Sequence, residues 1–338
     1  VPRLSHTFDL TPVDREVVDR TVAALHEVAR NCRFDGRGWL LTPDEESVER
    51  LLRRADELGL VDGEEAEQLR QDRKRAAERL REGDVAPGQE DELAVQAAKI
   101  SLQLQRGRHL EPRSRYLVAE LSPEGVPVDP ADDADKGWSG TGVTVTAWDE
   151  RGVSSVDYVM PDTAGSAEPP VTWGAVVHNG AEGTLTWTVR VRLPGRGAWL
   201  RSASAEAHAD LDTWYAALSG GGGADRPVRL SADHALARVE GWLVPVRTAE
   251  GRWSVEAVLD VRGRGVFRPF VAAAMWAVRS SFRREEARNA RLGTGEPTVR
   301  EQLDRAAGAW ERIARSAPQV PELLHELAAA MAGAAPGV

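Results

Sequence analysis

The chain of 338 residues contains one cysteine, Cys32, so it forms no internal disulfide and no thiolate metal cluster. Lysine is nearly absent. Lys74, Lys99 and Lys136 are the only three among 43 basic residues, which leaves few candidates for a lysine nucleophile or Schiff base. The arginine excess fits a GC-rich coding bias; selection for forked, bidentate anion contacts is the alternative. No run of about 18 apolar residues occurs, so no segment reads as a membrane-spanning helix. Residues 1–6, Val-Pro-Arg-Leu-Ser-His, lack the apolar core of a signal peptide. The expectation is a soluble, cytoplasmic protein. A net charge of −10 argues against broad nucleic-acid binding.

Catalytic and cofactor signatures are also missing. Of the seven histidines, none is paired at i, i+3 or i, i+4 on a predicted helix. His325-Glu326 opens like a zinc-protease helix, but Ala329 stands where the second ligand belongs. Asp129, Asp132, Asp133 and Asp135 are dense in acid but lack the Gly and Glu positions of a calcium loop. Gly137-Trp138-Ser139-Gly140 resembles a nucleophile elbow, with Thr141 where the second glycine should be and a strand following instead of a helix. Gly220 to Gly223 lacks the strand-to-helix setting of a dinucleotide loop. No cofactor and no metal are expected. His208, Asp210 and Asp212, with Asp233-His234, are the groups from which a dispersed enzyme site would have to be built.

The pattern that is present falls into three parts. Residues 1–112 read as a helical N-terminal region, residues 113–292 as an antiparallel sheet with a long helix, and residues 293–338 as a helical extension. Leu10-Thr11-Pro12 and Leu41-Thr42-Pro43 look like helix openings, each with a Thr cap and Pro at the first position. The first helix runs to about Arg30 and the second to Gly59. A charged helix over 64–81 and a fourth over 90–105 follow. From Arg115 to Arg262 the period is two: 185–193, Leu-Thr-Trp-Thr-Val-Arg-Val-Arg-Leu, is the clearest strand. Runs at 236–246 and 253–261 form a hairpin, and a short helix over 205–218 interrupts the strands. Helices over 267–289, 298–316 and 321–332 complete an α+β fold whose C-terminal helices pack on the sheet.

Tryptophan dominates the aromatics, with 11 Trp against 3 Tyr and 5 Phe. Trp148, Trp187, Trp242 and Trp253 fall in or beside strands, and Phe270 and Trp276 lie in the apolar stretch Val266 to Val278. Together they can line an apolar pocket or fill a core. Arg279, Arg283, Arg284 and Arg288 follow that stretch as a candidate anion or partner surface.

The hairpin, then Arg262-Gly263-Arg264-Gly265, then a long amphipathic helix resembles the end of a helix-grip (START-like) domain over about residues 226–292. That resemblance implies a curved antiparallel sheet wrapped around a C-terminal helix, enclosing an apolar ligand cavity. Two departures stand out: no helix pair between the first and second strands, and about 40 further residues after the long helix. The resemblance carries over no functional residue. The expected function is non-catalytic binding of a small apolar ligand between sheet and helix. The alternatives are an adaptor or assembly component acting through its terminal helices on a protein partner, and an enzyme with a dispersed His/Asp site.

Overall fold

The computed structural model describes residues 3–58, 60, 99–121, 141–161, 171–192, 201–220, 226–248, 250–264 and 299–334. In chain order the elements are β1 (Arg3–Leu10), α1 (Arg15–Asn31), α2 (Glu45–Glu57), β2 (Lys99–Arg106), β3 (Arg115–Leu121), β4 (Thr141–Ala147), β5 (Val153–Pro161), β6 (Val171–Asn179), β7 (Thr184–Arg192), β8 (Ser202–Asp210), α3 (Leu211–Leu218), β9 (Val228–His234), β10 (Ala237–Arg247), β11 (Trp253–Gly263), α4 (Val299–Ser316) and α5 (Val320–Gly333). Contacts divide the chain into two compact units, neither of them one continuous stretch. No helix among the described residues is long and apolar enough to cross a membrane.

The first unit comprises Val1–Arg15, Arg151–Ser154 and Pro170–Arg315. Its strands lie in the order β1-β11-β10-β9-β8-β7-β6, and every pair is antiparallel. Successive strands from β6 onward are neighbours, with α3 inserted between β8 and β9; β1 alone pairs across the length of the chain. One end of this sheet is closed by rings. Trp253 is 4% exposed and meets Trp214 and Tyr215 of α3 and Trp310 of α4 at centroid distances of 5.7, 6.0 and 6.0 Å. Beside it, Glu311 accepts from the Thr11 amide at 2.9 Å and from the Thr11 hydroxyl, and pairs with Arg252 at 2.7 Å. The Thr11 hydroxyl, then its amide and Arg252, hold the Glu311 carboxyl below the ordinary range against the opposing effect of burial. Trp310 Nε1 donates to the Thr11 carbonyl at 2.8 Å, so the chain leaving β1 is held on both polar groups.

The second unit comprises Glu16–Glu150, Ser155–Pro169 and Ser316–Val338. Its strands follow the order β5-β4-β3-β2, again antiparallel. α2 packs on α5, and His325 Nδ1 of α5 meets Glu27 of α1 at 2.5 Å. At the centre His109 is held at both nitrogens, by the Tyr116 hydroxyl at 2.8 Å and the Ala29 carbonyl at 2.7 Å. A carbonyl only accepts, so Nε2 carries the proton and Nδ1 accepts from Tyr116. The same hydroxyl accepts from the Leu110 amide at 2.8 Å, which fixes Leu110 in the left-handed region at φ 61°. The outer edge of β2 is covered by its own loop: Leu40 N donates to Leu102 O at 2.8 Å and Leu104 N to Gly38 O at 2.7 Å. Gly38, at φ 84°, admits no side chain there, since a Cβ would lie 2.3 Å from Leu104 O.

Several sequence expectations hold. α2, β7, the β10–β11 hairpin, α4 and α5 fall within one or two residues of their predicted spans; α1 ends as expected, but starts at Arg15, three residues after the expected opening at Pro12. Others need correction. Residues 3–10 and 99–106 are strands inside the region read as helical, so the N-terminal part is mixed. Both alternate: Leu4, His6, Phe8 and Leu10 in β1, Ile100, Leu102 and Leu104 in β2. Residues 205–210 belong to β8, and the helix starts at Leu211. Alanine-rich β8 has helical propensity, but pairing with β7 and β9 overrides it. The cap of α2 is Asp44, accepting from Ser47 N at 2.8 Å, instead of Thr42. The expected helices over 64–81 and 267–289, the acidic loop at 129–135 and the Gly137–Gly140 turn lie outside the described residues, as does residue 59.

Candidate functional site

Register and alternation assign every strand residue of the first unit to one of two faces. The row Trp173, Arg190, Ser204, Asp233, Arg238 and Arg262 crosses β6 to β11 on one face. Two residues along, the row is Ala175, Thr188, Glu206, Ser231, Glu240 and Asp260, and two further it is Val177, Thr186, His208, Arg229, Trp242 and Val258. This face is polar. It carries two adjoining depressions of about 340 and 780 Å³ that share Glu206 and Ser231. Trp173 stands in the first and Trp242 in the second. The Arg226 guanidinium lies 3.6 Å from the Trp242 ring centroid and that of Arg3 lies 5.2 Å away, so the indole is flanked by cations. Other arginines here are paired with carboxylates: Arg238 with Glu240 at 3.1 Å, and Arg264 with Asp233.

The opposite face is apolar. Its central row is Val176, Trp187, Ala207, Leu230, Gly241 and Leu259, followed by Leu4 of β1. Trp187, Leu230 and Leu259 are 48%, 41% and 37% exposed, so the row is not buried as a core would be. Gly241 forms the low point between Leu230 and Leu259. A Cβ there would stand 3.3 Å from Leu259 Cδ1 and 3.5 Å from Leu230 Cβ. The next row, with Leu185, Val228, Leu243 and Ala257, extends the apolar area.

The tryptophans singled out from sequence therefore take four different positions. Trp187 lies on the exposed apolar face, Trp242 on the polar face, and Trp253 in the ring cluster at the sheet's end. Trp148 belongs to the second unit, where it packs edge-on against the buried His26 at 5.1 Å and its indole N–H has no hydrogen-bond partner. Phe270, Trp276, Arg279, Arg283, Arg284 and Arg288 lie outside the described residues.

The residues of the dispersed-site reading each have a separate partner. His208 Nδ1 meets Thr186 Oγ1 at 2.9 Å. Asp210 caps α3 through Thr213 N at 2.8 Å and Thr213 Oγ1 at 2.6 Å. Burial works against the Asp210 carboxylate, but these bonds outweigh it and hold the group below the usual range. Asp212 pairs with Arg15 at 2.6 Å, and both flank Gly183 in the β6–β7 turn. His234 Nδ1 accepts from Leu236 N at 3.3 Å. Half-buried Cys32 rests on the Val28 carbonyl at 3.4 Å, and burial raises its thiol pKa, away from a reactive thiolate. Among the described residues no group of three or more His, Cys, Asp or Glu could hold a metal ion.

Sequence reasoning missed the division into faces. Alternation was visible in β7, but the row through Leu230, Gly241 and Leu259 exists only once two registers are known. No family model, curated protein or solved structure matches this chain.

Proposed function

We propose that this protein is a non-catalytic module that holds a small apolar ligand against the apolar face of β6–β11. The observation that supports this most is the exposed row of Trp187, Leu230 and Leu259 around the dip at Gly241. Leaving such a row wet is costly, since covering apolar area is worth roughly 25 cal/mol per Å². The segment Val266 to Val278, which follows β11 in the sequence, is nearly continuous in apolar residues and includes Phe270 and Trp276. A ligand between sheet and segment would be selected by shape and apolar area, with no reacting group required.

Titration with the neutral apolar dye Nile red tests this. Saturable one-to-one binding is expected. Leu230→Glu, which puts a charge on the apolar row, should weaken it at least about tenfold, roughly 1.4 kcal/mol. Ser231→Glu, one residue along on the polar face, should leave it unchanged. Absence of saturable binding, or equal effects of the two variants, would overturn the reading. Native mass spectrometry of freshly purified protein would show any co-purified ligand directly.

A further inference from the structure

We infer that the outer edge of β1 docks on β1 of a second copy of this chain, the two strands pairing antiparallel about His6. The argument starts from which way the main chain of β1 points. In the β10–β11 turn, Thr248 N donates to Arg252 O at 2.8 Å and Arg252 N to Thr248 Oγ1 at 3.2 Å, so the polar groups of Arg252 turn toward β10. Main-chain direction alternates along a strand. Those of Trp253, Val255, Ala257 and Leu259 therefore turn toward β1, where they meet Leu10, Phe8, His6 and Leu4. The N–H and C=O groups of Arg3, Ser5, Thr7 and Asp9 are left facing away from β11. Asp9 agrees: its carbonyl lies outside the β11 ladder and takes the Arg252 guanidinium, Nη2, at 2.8 Å, which leaves its second lone pair for a further donor.

Among the described residues β11 is the only strand paired with β1, and Arg3, Ser5, Thr7 and Asp9 are all exposed. The edge carries no bulge in its register. Its far end is blocked, because Thr11 N is already held by Glu311. An open edge of this length is a template for another strand, which other proteins blunt with proline, bulges or covering loops. β2 shows such covering through its loop at Gly38 and Leu40.

Charge and shape choose the occupant. Antiparallel pairing requires outward-facing residues to meet outward-facing ones, so only registers two residues apart are allowed. Setting Ser5 opposite Thr7 places Arg3 opposite Asp9 and Leu4 opposite Phe8, with His6 on the twofold axis. Opposite charges and apolar groups then meet in both halves, as a self-complementary isologous contact requires. Shifting one way puts Arg3 opposite Thr7 and leaves Asp9 unmatched. Shifting the other way drives Arg3 onto Thr11, which Glu311 occupies.

Sedimentation velocity on the full chain, from micromolar to about 0.1 mM, provides the test. The expected species has twice the 36.8 kDa chain mass. Ser5→Pro removes an outward N–H and spares the β11 ladder, so the dissociation constant should rise about tenfold or more with an unchanged circular dichroism spectrum. Arg3→Asp and Asp9→Arg should each weaken the dimer, and the double variant should restore it, since it exchanges the two charges. A monomer throughout the range, as expected if an unrelated peptide or another segment of this chain fills the edge, would overturn the inference. So would a dimer indifferent to Ser5→Pro, or a double variant no tighter than either single one.

Discussion

Around Trp253 the first unit gathers Trp214, Tyr215 and Trp310, a closure made of ring contacts. Around Tyr116 the second unit closes on an imidazole, with His109 spanning a hydroxyl and a main-chain carbonyl. The two differ in how they depend on conditions. Ring packing responds to volume, because a deleted ring leaves a cavity that neighbours fill only in part. A half-buried imidazole responds to protons, because its charged form has lost part of its water. Burial lowers the His109 pKa, with the Ala29 carbonyl pulling weakly the other way.

The sharpest way to break this comparison is Trp253→Ala, expected to cost about 3–5 kcal/mol in urea unfolding. Hydrogen exchange should show the loss concentrated in the ladders of β10 and β11. A comparable loss in β2–β4 would mean that the units do not differ as described. Next is Tyr116→Phe, expected to cost about 1–3 kcal/mol, since it strands His109 Nδ1 and the Leu110 amide without partners.

Acidification separates the units by a different route. A histidine with a lowered folded-state pKa binds fewer protons folded than unfolded. Its contribution is fully present above the unfolded value of 6.5 and is lost as pH falls below that toward the lowered folded value. Exchange protection in β3 should therefore weaken between pH 7.5 and pH about 5.5, with less change in a His109→Gln variant. Equal weakening in both backgrounds would remove His109 from the explanation.

Smaller effects sharpen the picture of local signals. Asp44→Ala should cost about 1 kcal/mol by uncapping α2. Arg113, exposed at φ 73°, should gain about 0.5 kcal/mol on replacement by glycine, because relief of left-handed strain slightly outweighs glycine's entropy in the unfolded chain. Both can be measured as shifts in the urea midpoint.

Legibility in the sequence followed how local each signal was. β7 was readable because Thr and Arg alternate with Leu, Trp and Val over a full strand, and α1 because its apolar positions recur at helical spacing. β8 was not, since Ser-Ala-Ser-Ala-Glu-Ala-His-Ala suits a helix as well as a sheet until β7 and β9 flank it. β1 hid for a related reason: eight residues with modest alternation become a strand by joining β11, about 250 residues away. Of the site, Trp187 was identified from its strand. The rows that give it neighbours were not, because Leu230 and Gly241 carry no signal of their own.

From the sequence alone came the absence of an internal disulfide, the α+β class, the alternating strands and the placing of Trp187, Trp242 and Trp253 in them, since composition and short-range period settle such things. Tertiary structure decided which face each tryptophan occupies, which His and Asp residues meet a structural partner, and where the long-range strand β1 lies. Those depend on register between distant segments. A slip of one residue in any pairing would turn a whole strand over, and nothing local in the chain records that choice.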